Sequence, residues 1–300
     1  MPCSKSVTNR ALLVAALADG VSTIKNPLFS DDPYFLMESL ARLGFDVWAD
    51  REAGEVRIAG LGGGIPRGDV ELFVGNAGTV ARFLPPALAL GPGPYTVDGV
   101  PRMRERPIKD LVDAMRGLGA RVEYAQEDGR FPIVVAGGRG GGLAGGRAVV
   151  RGGGSSQFVS GLLMAAPYAD APVVLDVEGR EKWPYVGITL AVMRAFGVEV
   201  EASEGLARLA VGRGPYQACV FEVEPDASAA SYFLALAAVT GGRVRVPGLG
   251  AGSSQGDLVR FAGVLEKMGC EVELGEEYVE VRGPGRLRGV EVDMGSSRTP

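Results

Sequence analysis

The stretch that decides the fold is Leu72-Phe73-Val74-Gly75-Asn76-Ala77-Gly78-Thr79-Val80-Ala81-Arg82. An apolar strand runs into Gly-Asn-Ala-Gly-Thr, and a helix rich in Ala and Leu follows. The glycines let the backbone turn tightly and approach a ligand closely. Thr79 reads as the N-cap of the helix. The free N–H groups of a first turn, together with the helix dipole, favour an anion there. A strand-to-helix turn with glycines for steric reasons alone would look the same. What raises this one above that reading is recurrence: the design returns three more times, each with polar residues at the helix start.

Upstream, Ser4-Lys5-Ser6 opens a helix over Asn9 to Ala18, and Gly20 stops it. Val21 to Ile24 makes a strand, and Ser30-Asp31-Asp32 caps a second helix that ends at Gly44. A hairpin (Phe45 to Trp48 with Glu55 to Ile58) is closed by Gly60. The second copy starts at Gly78-Thr79 and closes at Gly137. The third starts at Ser155-Ser156-Gln157 and closes at Gly212, and the fourth starts at Asp226-Ala227-Ser228 and closes at Gly283. The glycines after the second helices, at 44, 119, 197 and 269, are 75, 78 and 72 residues apart. The closing glycines at 60, 137, 212 and 283 are 77, 75 and 71 apart. This regularity predicts a repeated β-α-β-α-β-β unit in an α/β (α+β) chain. The first helix of each copy is apolar nearly all round, so these helices are expected inside and the sheets outside. After Gly283 the residues Val290 to Asp293 read as one more strand, and the last six residues are left out of the fold reading.

Composition narrows the function. With 300 residues, 46 % of them hydrophobic, the chain has core enough for about two domains. A net charge of −5 argues against general binding to nucleic acid or a membrane surface, and no apolar run reaches a membrane span. Cys3, Cys219 and Cys270 fit neither a metal spacing nor a disulfide framework, which points to a reducing cytoplasm. There is no histidine, so every His-dependent triad and every His-ligated metal site is excluded. Acid–base work falls to Lys, Asp, Glu, Tyr or Cys.

Five stretches taken together resemble the 5-enolpyruvylshikimate-3-phosphate synthase (3-phosphoshikimate 1-carboxyvinyltransferase) family. They are Ser4-Lys5-Ser6-Val7-Thr8-Asn9-Arg10-Ala11, Gly75-Asn76-Ala77-Gly78-Thr79, Arg102-Met103-Arg104-Glu105-Arg106-Pro107-Ile108, Ser155-Ser156-Gln157-Phe158-Val159-Ser160-Gly161 and Asp226-Ala227-Ser228-Ala229-Ala230-Ser231-Tyr232. The resemblance implies the enolpyruvyl transferase fold, an inside-out α/β barrel of such repeats. It implies a three-repeat domain over 4–221 that carries the shikimate 3-phosphate site, the first repeat of a second domain over 222–294, and a divergent tail over 295–300. It further implies transfer of the enolpyruvyl group of phosphoenolpyruvate to the 5-hydroxyl of shikimate 3-phosphate, through a tetrahedral ketal-phosphate. The setting is the shikimate pathway of aromatic amino-acid biosynthesis, in a cytoplasmic monomer with no metal or organic cofactor.

By the same resemblance Lys5 is the candidate catalytic acid and contacts both substrates. Ser6, Arg10, Ser155, Ser156, Gln157, Lys182 and Tyr185 are expected to bind shikimate 3-phosphate. Gly78, Thr79, Arg106 and Gln157 are expected to bind phosphoenolpyruvate. Both substrates are polyanions, which suits arginine forks and a lysine point charge. Departures from the family pattern are Cys3 before Ser-Lys-Ser, Lys182 in place of a phosphate-binding serine, and Gly187 in place of an aspartate. Asp293-Met294 matches the start of a segment that carries a catalytic aspartate, yet Gly295 to Pro300 hold no acid. The expectation is therefore a C-terminally truncated chain with most of one substrate site, half of the other, and impaired turnover. Two rivals stand beside this reading. UDP-N-acetylglucosamine enolpyruvyl transferase is expected to carry a Lys-Asn pair and a loop cysteine, and here Ser6 follows Lys5 and no cysteine lies between 4 and 218. A non-catalytic anion-binding remnant is the other.

Overall fold

The structure, a computed structural model, describes residues 1–137, 142–151, 155–178 and 184–292. Its contacts divide the chain into a first body, Lys5–Glu222, and a second body made of Met1–Ser4 and the residues from Val223 onward. Ser4 lies with the second body because its N–H donates to the Glu224 carbonyl at 2.9 Å, and Glu222 lies with the first. Each is one residue away from the expected boundary.

The first repeat of the first body runs α1 (Lys5–Leu17), β1 (Asp19–Lys25), α2 (Asp31–Arg42), β2 (Val47–Asp50) and β3 (Glu55–Leu61). The second runs β4 (Val70–Phe73), α3 (Val80–Leu88), β5 (Tyr95–Asp98), the single turn α4 (Pro101–Arg104), α5 (Lys109–Gly117), β6 (Arg121–Tyr124) and β7 (Ile133–Ala136). The third runs β8 (Gly146–Arg151), α6 (Ser156–Ala165), β9 (Val173–Glu178), α7 (Pro184–Ala195), β10 (Val200–Ala202) and β11 (Arg208–Val211).

Their sheets share one plan. β4 pairs parallel with β5 and β8 with β9, while the other pairs are antiparallel, in the orders β4-β5-β7-β6 and β8-β9-β11-β10. Among the described residues the first repeat opens directly on α1, and the place that β4 and β8 take in the other two sheets is held by a strand from far along the chain. β12 (Val220–Glu222) fills that place, pairing parallel with β1 at Thr23–Val220, Ile24–Phe221 and Lys25–Glu222.

The core follows from the helices. Every residue of α1 from Val7 to Leu17 is buried, as is all of α3, and α6 is buried from Phe158 to Ala165. Such helices have no face to offer water, so they pack on one another and on the inner faces of the sheets. In the second body α8 (Ala227–Thr240), β13 (Arg243–Pro247), α9 (Asp257–Lys267), β14 (Glu271–Leu274) and β15 (Tyr278–Arg282) make one further repeat. Its sheet order is β13-β15-β14, around a core that includes Leu234, Leu258, Val279 and Val281. Here Asp226 is the expected N-cap, accepting from Ala229 N–H at 2.8 Å. The expected strand at Val290–Asp293 is absent over 290–292, and Asp293 lies outside the described residues.

Three of the four closing glycines, Gly60, Gly137 and Gly283, have a steric reason, because a Cβ on each would run into a backbone carbonyl. A Cβ on Gly60 would stand 2.3 Å from the carbonyl oxygens of Ala15 and Ala18, where β3 crosses the end of α1. Gly212 has nothing within 4 Å of the same position. Gly60→Ala is therefore expected to cost about 1–3 kcal/mol by overpacking. That would lower the thermal midpoint by several degrees, while Gly212→Ala leaves it unchanged. Thermal unfolding followed by circular dichroism checks both.

Candidate functional site

The starts of α1, α3, α6 and α7 converge. Asn9, on the second turn of α1, donates from Nδ2 to Thr79 Oγ1 at 2.7 Å, and Thr79 Oγ1 donates to Asp32 Oδ2 at 2.8 Å. Lys5 Nζ lies 3.6 Å from Asp32 Oδ1, with its side chain 46 % exposed. Lys5 and Thr79, both expected site residues, thus share one carboxylate. The N-cap role expected of Thr79 is corrected. Its backbone is already helical (φ −67°, ψ −46°) and its hydroxyl is spent on Asn9 and Asp32. Ser30 holds the cap position of α2, also without a side-chain cap bond.

Arg10 is the second hub and is 1 % exposed. Its Nε donates to Thr189 Oγ1 (2.7 Å), Nη1 to the Ser6 carbonyl (2.8 Å), and Nη2 to Ser160 Oγ and the Tyr185 carbonyl (3.1 Å each). The guanidinium carbon lies 4.9 Å from the centre of the Phe83 ring. Ser6 and Tyr185, two of the expected binding residues, are thereby tied to one side chain together with Ser160, one turn into α6 from Ser155, Ser156 and Gln157. Ser155 caps α6, accepting from Gln157 N–H at 3.2 Å. Ser155, Ser156 and Gln157 are half-buried, and Tyr185 is exposed. Lys182 lies outside the described residues. Gly187 has open space beside it.

The three arginines after β5 separate by partner. Arg102 pairs with Glu105, and Arg104 forks onto Asp98 at 2.9 and 2.5 Å. Arg106 meets no carboxylate among the described residues, and its guanidinium lies over Gly78, 2.7 Å from where a Cβ would be.

Beside it is a residue that the motif reading passed over. Arg82, only 3 % exposed, donates to the Pro107 carbonyl (3.1 Å) and to Met103 Sδ (3.1 Å) and faces the Phe131 ring. The signal was in the sequence: a lone arginine in the otherwise apolar α3. Desolvation pushes the Arg82 pKa down to about 9, and the charge of Arg106 pushes the same way. Desolvation pushes Arg10 down to about 9 as well. A cation enclosed without a counter-ion is costly, and an anion docking beside it relieves that cost. No group of His, Cys, Asp and Glu among the described residues could hold a metal ion, and none of their helices is long and apolar enough to cross a membrane.

A family model described as EPSP synthase (3-phosphoshikimate 1-carboxyvinyltransferase) matches residues 1–298. The chain belongs to this family. Curated relatives named 3-phosphoshikimate 1-carboxyvinyltransferase include one from Trichormus variabilis, 45 % identical over 296 residues, which are 98 % of this chain and 68 % of the relative. Another, from Sulfurovum sp., is 47 % identical over 298 residues with the same coverage. A solved structure of EPSP synthase from Acinetobacter baumannii superposes with a TM-score of 0.81 at 23 % identity, over 96 % of this chain and 66 % of that one. The fold is therefore the enolpyruvyl transferase fold, and the chain spans about two thirds of the length of these relatives. The matches do not favour the UDP-N-acetylglucosamine enzyme.

The buried cations make a prediction. A buried charge with no counter-ion carries a desolvation cost that an apolar side chain of similar volume does not. Arg82→Met is expected to hold or raise the thermal midpoint while shrinking the rise that inorganic phosphate gives the parent chain. Thermal unfolding with and without phosphate reads both. A fall of many degrees without phosphate would make Arg82 a structural staple instead.

Proposed function

We propose that the chain serves enolpyruvyl transfer from phosphoenolpyruvate to the 5-hydroxyl of shikimate 3-phosphate, giving 5-enolpyruvylshikimate 3-phosphate and phosphate in the shikimate pathway. The observation that carries the reading is the pair of hubs at one set of helix starts. Arg10 ties together Ser6, α6 and Tyr185, and Asp32 ties Lys5 to Thr79. Family membership supplies the chemistry that these hubs fit.

On this reading shikimate 3-phosphate lies against Ser6, Arg10, Ser155, Ser156, Gln157, Lys182 and Tyr185. Phosphoenolpyruvate lies against Gly78, Thr79, Arg106 and Gln157, with Lys5 reaching both. The reaction puts a proton on the methylene carbon of phosphoenolpyruvate while the 5-hydroxyl oxygen adds to its C2 and loses its own proton. Phosphate then leaves the ketal as the new methyl group gives a proton back. Lys5, half-exposed and 3.6 Å from Asp32 Oδ1, is the proposed donor of the first proton and holder of charge on the leaving phosphate. Arg106, which meets no carboxylate among the described residues, offers its fork to a carboxylate or phosphate. The chain acts as a cytoplasmic monomer, a compartment that its few, scattered cysteines support.

Calorimetric titration of the chain with shikimate 3-phosphate is the primary test. Binding is expected, weakened about tenfold by Ser156→Ala, and a ligand at a hundred times its Kd is expected to add about 2.7 kcal/mol of stability. No binding to a chain that circular dichroism shows to be folded would overturn the proposal.

Gly78 tests the other half. An Ala methyl there must displace the Arg106 guanidinium, the free end of a flexible side chain. Gly78→Ala is expected to keep the thermal midpoint and to weaken phosphoenolpyruvate binding about tenfold, leaving shikimate 3-phosphate binding alone. Paired titrations with the two ligands check the split.

A further inference from the structure

Arg10 carries a full charge into the interior, yet no carboxylate meets it among the described residues. Its side-chain acceptors are two neutral hydroxyls that are themselves fully enclosed: Thr189 on α7 and Ser160 on α6, each 0 % exposed. The three groups close a ring. Arg10 Nε donates to Thr189 Oγ1 at 2.7 Å, Thr189 Oγ1 donates to Ser160 Oγ at 2.7 Å, and Arg10 Nη2 donates to the same Ser160 Oγ at 3.1 Å. Thr189 has one proton to give. The Ser160 oxygen takes it in preference to the Tyr185 carbonyl, which is 3.4 Å away. Phe83 closes the ring plane from α3.

We infer that Thr189 and Ser160 are positioning residues, a hydroxyl pair that holds the Arg10 guanidinium in place behind an anion site without neutralising it. The chemistry explains the choice of side chains. A carboxylate at either place would hold Arg10 as firmly but would cancel the charge that the ligand is meant to meet. An alkyl group at either place would leave a buried N–H without an acceptor, a loss that is large for a charged donor. Two hydroxyls fix the fork and leave its charge intact. They also reach beyond Arg10. The same guanidinium holds the carbonyls of Ser6 and Tyr185, so a loosened ring shifts the starts of α1 and α7 together.

The inference rests on the reading of this face as the shikimate 3-phosphate site, and the test separates the two. Shikimate 3-phosphate is titrated into the full chain and into Thr189→Val, Thr189→Ser and Ser160→Ala, with the thermal midpoint of each recorded. The Nε–H resonance of Arg10 is followed by 1H–15N spectroscopy and assigned by its disappearance in Arg10→Lys. The expected result is a parent chain that binds, and a Thr189→Val variant that binds about tenfold or more weakly with a faster-exchanging Arg10 Nε–H. Thr189→Ser, which restores the hydroxyl, is expected to recover binding to within about threefold. If Thr189→Val does not fold, Ser160→Ala is read in its place and must show the same weakening. Undiminished binding in the variant so read overturns the inference and leaves the proposed function standing. A Thr189→Ser variant as weak as Thr189→Val also overturns it, because side-chain volume and not the hydroxyl would then be responsible. A folded parent chain that does not bind removes both.

Discussion

Three helices buried over most of their length must pack on one another and on the inner faces of the sheets, and the rest of the first body depends on that constraint. α1, α3 and α6 are enclosed on every side over most of their length. The sheets take the outside, where they alternate buried and exposed positions, as in β8, with Ala148 and Val150 buried and Arg147, Val149 and Arg151 exposed. The central packing leaves the helix starts with unsatisfied N–H groups and a positive end. Because repeats related in sequence supply these helices, the starts gather where four chain segments can each contribute a turn. The site is a consequence of how the core is solved.

Electrostatics at that place runs against stability. Surface arginines such as Arg104 and Arg147 have carboxylate partners, Asp98 and Asp176, and lie in water where such pairs contribute little. Arg10 and Arg82 are the reverse: enclosed, held by carbonyls, hydroxyls, a thioether and aromatic faces, with desolvation as the dominant influence on each. Residues that break a local rule without a local compensation mark functional ground. Two such cations lie within one body, one of them beside Arg106.

Much of this was legible in the sequence, and the reasons are physical. Glycine spacing is a backbone requirement, so Gly44, Gly119, Gly197 and Gly269 could be read as helix stops, and all four have positive φ. All-round apolarity forecast the burial of α1, α3 and α6 but not the state of α8, whose Tyr232, Phe233, Leu236 and Val239 are exposed. What could not be read was pairing between segments far apart in the chain. β12 is three residues long, and nothing local says that it belongs beside β1, some two hundred residues earlier. Thr79 was read as a cap because local chemistry favours that role. Tertiary partners, Asn9 and Asp32, claimed its hydroxyl instead. The side chains that organise the site, Asp32, Ser160 and Thr189, are short polar residues whose importance lies in distance, which periodicity does not carry.

The pairing of β12 with β1 has a consequence for the history of the chain. It brings residues 220–222 alongside 23–25, while Cys3 bridges to Pro225 and Ser4 bonds to Glu224. The polypeptide thus leaves the second body and returns to it at neighbouring points, after more than two hundred residues. To that host the whole first body is one loop whose ends are already clasped, and such a loop costs little more closure entropy than a short one. A module built this way can be spliced into a pre-existing gene, or exchanged between genes, without disturbing the strands on either side.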